Sequence, residues 1–279
     1  MKGSKFSMNI FEKLILLLQK EMDTPKPYGW FHLLCVGIMI LFIIILYKRR
    51  NNHNEKQLKI VLGVYGVIAL LLEILKQISW SFNYDFITNL VIWDYEWYSF
   101  PFQLCTTPIF VSIICLFLKD NKIRKSLLSY MAFITILGSI ATIIIPDSCF
   151  TSDILVNIHT MWLHLGSFVV SVYLLFTNEV KLNIKNLERA FVVFIVFVSV
   201  AMFFNIYIYN IDVLNGETFN MFYISPYFIS SLPVFDIIQE NTPYLIFLII
   251  YIFAIVLGSF IICYFGVLIK KIFNKKLII

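Results

Sequence analysis

Charged side chains are scarce in this sequence of 279 residues. Asp, Glu, Lys and Arg make up 14% of it, against about a quarter in soluble globular domains. Hydrophobic residues make up 60%, and the chain carries 28 phenylalanines. A chain with this balance has too little polar surface to cover a soluble globule, so the sequence predicts an integral membrane protein.

Histidine and cysteine are also few, with four and five residues. They and the acidic residues nowhere recur at the spacing of metal ligands, so no metal and no cofactor is expected. An odd number of cysteines does not form a framework of disulfide pairs. Internal repeats are absent, and a polar break at Asp23 to Pro27 stands where a secretory signal would end in small residues.

Seven hydrophobic runs are long enough to cross a hydrocarbon core of about 30 Å. The runs are continuous rather than alternating, and backbone polar groups have no water to bond in lipid, so each run predicts a helix. The fold class is therefore all-α, a bundle of seven transmembrane helices over residues 30–279. The predicted spans are Trp30 to Tyr47, Leu58 to Trp80, Phe100 to Leu118, Leu127 to Ile145, Leu155 to Phe176, Ala190 to Ile208 and Pro243 to Ile269.

Residues 1–29 precede the bundle as a separate segment. Apolar residues recur at helical spacing from Phe6 to Met22, with charged residues between them, which predicts an interfacial amphipathic helix. A linker with Pro25 and Pro27 joins it to the first span. The loop from Tyr209 to Thr242 is rich in aromatics, and we expect it to be ordered and packed on protein.

The distribution of charge predicts the orientation in the membrane. Basic residues cluster after the first, third, fifth and seventh spans, which makes those segments cytoplasmic. This places the N-terminus outside and the C-terminus inside, and it explains the net charge of +5 without a nucleic acid partner. The other loops carry acidic charges: Asp85, Asp94, Glu96, Asp147, Asp153, Asp212, Glu217, Asp236 and Glu240.

Several polar side chains fall at one depth. A helix rises 1.5 Å per residue, so Glu73, Cys105 and His164 lie about 21 to 22 Å from the charged residue that ends each span on the cytoplasmic side. Asn205 lies at about 24 Å and His159 at about 30 Å, which predicts an interfacial position for His159. Ionisable groups inside spans are costly and usually mark function. Glu73 could instead be structural, pairing with Lys76 or Gln77.

Cys105 belongs to the predicted third span. Pro101 fits the first turn of that helix, with Ser99 as its cap, and Pro108 should kink it and free the carbonyl of Leu104. Cys105 then lies just past the first turn, where the helix dipole has little effect. A thiol here could be a small core residue or, beside a base, a nucleophile.

The order of several motifs carries a resemblance to a known family. With Pro101-Phe102-Gln103-Leu104-Cys105, Pro146-Asp147, His164-Leu165-Gly166, Asn205 and then Asn220-Met221-Phe222-Tyr223, the chain resembles the YwaF-like bacterial integral membrane proteins. That family is similar to a eukaryotic transmembrane acyltransferase that moves polyunsaturated acyl chains onto ether lysophospholipids, and more distantly to androgen-induced membrane hydrolases.

The resemblance implies Cys105 as nucleophile and His164 as its base. A thiolate formed in this way would attack an acyl ester of a membrane phospholipid, and a lysophospholipid or water would resolve the acyl-thioester. Glu73 could orient the imidazole, and the amides of Gln103, Asn205 or Asn220 could stabilise the oxyanion. The expected protein is a multi-pass lipid acyltransferase or acyl hydrolase of the cell membrane.

Two other classes of protein remain open from the residues. Seven helices with an outside N-terminus suit a receptor, in which Cys105 would form a disulfide with Cys149 instead of acting as a nucleophile. However, the third span ends Leu118-Lys119-Asp120, without an acidic-Arg-aromatic triplet. A transporter usually shows paired repeats, and the sequence has none.

Overall fold

The computed structural model describes residues 8–146 and 149–276. Over these residues the chain forms ten α-helices and one two-stranded sheet. The helices are α1 (Ile10–Leu18), α2 (Trp30–Lys48), α3 (Glu55–Ser79), α4 (Thr107–Phe117), α5 (Lys122–Tyr130), α6 (Ile136–Ile144), α7 (Ile154–Phe176), α8 (Ile184–Asn210), α9 (Phe235–Asn241) and α10 (Tyr244–Lys276). The strands are β1 (Phe82–Asp85) and β2 (Leu90–Trp93).

Six helical segments of the described chain are long and apolar enough to cross a membrane. They are α2, α3, the continuous helix Lys122–Ile144, α7, α8 and the part of α10 over Tyr244–Leu268. The continuous helix joins α5 to α6 through a π-helical stretch at Met131–Thr135, all of it buried. The fold is that of a helical, multi-pass membrane protein.

The predicted third span differs most from the observed helix. In place of a helix over Phe100 to Leu118, α4 has 11 residues and begins only at Thr107, so it is about 16 Å long and too short to span alone. Pro108 lies in its first turn, where a missing N–H costs nothing. The predicted helix start at Pro101 with a Ser99 cap is therefore wrong, and so is the predicted kink at Pro108.

The segment before α4 folds as an irregular turn inside the protein. The N–H groups of Thr106 and Thr107 both donate to the Gln103 carbonyl, and the Leu104 carbonyl accepts from the Thr107 hydroxyl at 2.8 Å. Phe102, Leu104 and Cys105 pack against the main core. Irregular backbone at membrane depth is stable only when protein surrounds it, which is the case here.

The N-terminal helix lies against the end of α3. An Asn9–Glu12 capping box starts α1, and the Gln19 side chain donates to the carbonyls of Ser79 and Phe82. Ile10 and Leu17 are 87% and 67% exposed. This helix thus combines anchoring to the bundle with an uncovered apolar face, as interfacial helices do.

The β-hairpin between α3 and α4 was not predicted. Its antiparallel register pairs Phe82 with Trp93, and their rings meet edge to face at 5.1 Å. In its turn the Asp85 carboxylate accepts from the Ile87 N–H and the Thr88 hydroxyl. The hairpin adds protein beyond the end of α3. Asp147, predicted as part of a motif and of an acidic loop, lies outside the described residues.

Candidate functional site

Cys105 lies in the turn that leads into α4. The Gln103 N–H donates to the Thr106 hydroxyl at 2.9 Å, and that hydroxyl donates back to the Gln103 carbonyl at 2.9 Å. On the far side, the hydroxyls of Thr107 and Tyr130 are 2.6 Å apart. Because Cys105 precedes α4, the positive end of the helix dipole favours its thiolate, contrary to the sequence expectation.

The Cys105 thiol is free, which excludes the receptor-type disulfide with Cys149 in this structure. The side chains of Cys105 and His164 are both partly accessible.

Glu73 is the centre of a buried polar network. Its Oε2 lies 2.7 Å from Nε2 of His159, and its Oε1 lies 2.8 Å from Nζ of Lys76. Gln77 donates to the same Oε1 at 2.8 Å. Glu73, Lys76 and His159 are each no more than 6% exposed. Burial of these charges is tolerated because each one has partners.

The network bears on two sequence predictions. Glu73 pairs with both Lys76 and Gln77, as the structural reading of this residue expected. The imidazole that it orients is His159, not His164, and the His159 side chain is buried in the protein. The carboxylate has no hydrogen bond to His164 anywhere in the described chain, so it is not the third member of a Cys-His-Glu arrangement.

The same network continues toward the segment that precedes the thiol. Gln77 also donates to the Ser99 carbonyl at 2.8 Å and accepts from the Tyr95 hydroxyl at 2.9 Å. Lys76 and Glu73 both interact electrostatically with the Cys105 thiol.

His164 lies on α7. Among the described residues no hydrogen bond joins it to Cys105, although catalytic hydrogen bonds often form only with substrate bound. Tyr65 of α3 contacts α7. Its hydroxyl donates to the Leu163 carbonyl at 3.3 Å, and it interacts electrostatically with the Cys105 thiol.

The three predicted amides all bind the loop after α8. Gln103 donates to the Asn220 carbonyl at 3.0 Å and accepts from the Phe222 N–H at 2.8 Å. Asn205 donates to the Met221 carbonyl at 3.0 Å and accepts from its N–H at 2.7 Å. Asn220 donates to two carbonyls further along the loop. These amides hold backbone in place, so the structure does not support their role as oxyanion donors.

Gly166, two residues after His164, allows α7 to pack closely on α3. A Cβ atom there would lie 2.8 Å from Cδ2 and 3.0 Å from Cε2 of the Tyr65 ring. We expect Gly166→Ala to lower the free energy of unfolding by about 1 to 3 kcal/mol, the usual cost of overpacking. Unfolding in mixed detergent micelles measures this. The matched control is Gly138→Ala, because a Cβ at Gly138 has nothing within 4 Å. Equal losses in the two variants would contradict the packing argument.

An apolar groove opens between α2 and α3, with α7 as its floor. Its volume is about 400 Å³. The lining includes Ile38 and Phe42 of α2, Val64 and Tyr65 of α3, and Trp162 and Gly166 of α7. Tyr65 thus lines the groove and also interacts electrostatically with the Cys105 thiol.

The fold defines a class: a multi-pass helical membrane protein, here with a buried carboxylate network around Glu73. The chain belongs to the TMEM164 family, a family of transmembrane proteins whose model matches residues 26–273. No curated protein and no solved structure matches the chain.

Proposed function

We propose that this protein is a membrane-embedded enzyme that transfers or hydrolyses the acyl chains of phospholipids, with Cys105 as nucleophile and His164 as base. The observation that carries the proposal is the environment of the Cys105 thiol. The thiol is partly accessible, and it lies just before the first residue of α4, at the positive end of the helix dipole. Cysteines at helix N-termini are more reactive than cysteines buried in apolar surroundings.

The first half of the reaction forms an acyl-thioester. His164 takes the thiol proton, and the thiolate attacks the ester carbonyl carbon, which forms a carbon–sulfur bond and moves an electron pair onto the carbonyl oxygen. When the carbonyl re-forms, the ester carbon–oxygen bond breaks. The leaving alkoxide takes the proton from His164 and departs as a lysophospholipid.

The second half returns the enzyme to its starting state. His164 accepts the proton of the incoming hydroxyl while the oxygen attacks the thioester, and Cys105 leaves as a thiolate that is then reprotonated. A lysophospholipid hydroxyl gives transfer, and water gives hydrolysis. A site surrounded by protein favours transfer because it limits the access of bulk water.

The apolar groove supports a lipid as the substrate. Its walls come from three spanning helices, and its lining offers almost no polar partner for a peptide backbone or a sugar. An unsatisfied polar group at such depth is costly, so the occupant that this lining favours is a hydrocarbon chain. The acyl chain of a phospholipid could thus lie in the groove with its ester near the Tyr65 ring.

The membrane arrangement that we propose keeps the predicted orientation. With its preceding turn, α4 makes a seventh crossing together with the six long helices, the N-terminus lies outside, and the cell membrane is the location. The thiol then lies in the outer leaflet. The motif order from Cys105 to Tyr223 supports a position among the YwaF-like members, which would bring a Cys and a His to these two places.

The experiment that tests the function uses the full-length protein in vesicles. The purified chain is reconstituted with a phospholipid whose acyl chain is isotopically labelled and with an unlabelled lysophospholipid, and lipid products are followed by mass spectrometry. We expect labelled acyl chains on the acceptor or as free fatty acid, above protein-free vesicles. Product levels equal to those of empty vesicles over a range of headgroups would overturn the proposal.

A further inference from the structure

The loop after α8 contains a strained turn beside the thiol. Phe222 and Tyr223 are consecutive non-glycine residues with φ of +59° each. This left-handed conformation is unfavourable for side chains with a Cβ, and such residues cluster at active sites and ligand clamps. A strained turn persists only when the surrounding structure holds it. The contacts that hold this turn therefore indicate its role.

The supports come from the amides that sequence reasoning assigned to catalysis. Gln103 accepts from the Phe222 N–H at 2.8 Å, and Asn205 makes two hydrogen bonds to the Met221 backbone. The rings of Phe222 and Phe102 stack with centroids 5.9 Å apart. Met221 and Phe222 are fully buried. The strained turn is therefore fixed to the backbone segment that carries Cys105.

The hydrogen bonds of Gln103 and Asn205 and the stack of Phe102 on Phe222 are here called the clamp. Tyr223 is the next residue of the turn that this clamp holds. Its side chain is partly accessible, and its hydroxyl has no hydrogen bond partner within residues 8–146 and 149–276. It interacts electrostatically with the Cys105 thiol. Burial raises the pKa of the Tyr223 phenol, and the thiol adds to the rise. At neutral pH the phenol therefore keeps its proton, and its O–H group has no acceptor among the described residues.

We infer that Tyr223 is a further catalytic residue, whose phenol donates a hydrogen bond to the acyl carbonyl oxygen as Cys105 attacks. This rests on the proposed function. The electron pair that moves onto oxygen in the tetrahedral intermediate needs a donor, and the predicted amides are engaged elsewhere. Gln103 and Asn205 lie where they do because they hold the turn that carries Tyr223, and the Tyr223 phenol is the group that donates the hydrogen bond.

The test replaces Tyr223 by phenylalanine in the vesicle assay. Removal of one oxyanion donor costs about 10² to 10³ in kcat, so we expect Tyr223→Phe to lose about 100-fold in kcat with little change in KM. The matched control is Tyr227→Phe, an aromatic of the same loop that is 40% exposed and stacks on Tyr209. It should retain wild-type activity.

Two further measurements separate a catalytic role from a structural one. Alkylation of Cys105 by a small maleimide should proceed at the wild-type rate in Tyr223→Phe, because the thiol and its base are intact. Tyr223→His, which keeps an N–H donor, should recover part of the lost kcat. Tyr223→Phe activity within a few-fold of wild type would overturn the inference while leaving the proposed function standing. Slower alkylation together with no recovery in Tyr223→His would also overturn it.

Discussion

Replacing Cys105 by alanine is expected to abolish acyl transfer, with a loss of about 10³-fold or more in the vesicle assay. The reason is that the acyl chain must be held covalently between donor and acceptor, and alanine leaves no atom to hold it. When a nucleophile and its base act as a unit, removing either one costs nearly as much as removing both. His164→Ala should therefore show a similar loss, and the double variant should be little worse than either single one.

Other cysteines of the chain provide the control for this prediction. Cys263 on α10 is buried and packs in the same core, so Cys263→Ala tests the effect of losing a buried thiol without touching the site. We expect it to keep wild-type activity. Full transfer activity in Cys105→Ala would exclude a thioester mechanism, and losses that multiply in the double variant would contradict a Cys-His unit.

Removing the Glu73 carboxylate is the second change with a large expected effect. Glu73→Ala leaves the Lys76 ammonium and the His159 ring buried without their shared partner. Breaking a buried ion pair from one side typically costs about 3 to 5 kcal/mol, because an uncompensated charge stays out of water. We expect a loss of that size in the free energy of unfolding, measured by denaturation in mixed micelles, and poor yields of the folded protein.

An exposed ion pair in the same chain offers the comparison. Lys125 and Asp120 lie 3.0 Å apart, with side chains that are 47% and 64% exposed. Exposed pairs contribute about 1 kcal/mol at most, so Asp120→Ala should unfold close to the wild type. If Glu73→Ala were equally mild, the network around Glu73 would not be a determinant of the fold.

Hydropathy alone locates the six long helices, since their apolar runs exceed the thickness of the hydrocarbon core. It fails for the segment around α4. Residues 100 to 118 are mostly apolar, and the position of Pro108 indicates where the helix can begin. An apolar run indicates that a segment is buried. It does not distinguish a turn buried inside the protein from a helix buried in lipid, because the two have the same composition.

The burial of His159 could not be predicted from its depth. Counting residues along α7 places His159 at the level of the membrane surface, and its side chain is only 4% exposed there. Protein covers this end of the bundle. The segment after α1 pairs with the segment before α7, since the Met22 N–H donates to the Ser152 carbonyl and the Ile154 N–H donates to the Lys20 carbonyl. The β-hairpin also extends from the end of α3. Rise per residue measures distance along one helix and says nothing about such a covering.

The roles of the amides could not be predicted from the sequence. Gln103 and Asn220 are more than a hundred positions apart, yet they form one hydrogen-bonded unit. Sequence position indicates that both are near the site, and only the folded chain distinguishes a group that contacts a substrate from one that holds a loop. The same limit applies to Tyr223, whose interest follows from a backbone conformation and a clamp that no local pattern encodes.

The most direct test of the account is the mass of Cys105 itself after incubation with phospholipid. Wild-type protein is quenched in acid during turnover and digested, and the peptide with residue 105 is measured. We predict an added acyl chain on this peptide that neutral hydroxylamine removes, and its accumulation when no lysophospholipid acceptor is present. Acyl transfer that proceeds while this peptide stays unmodified at every time point would contradict the mechanism.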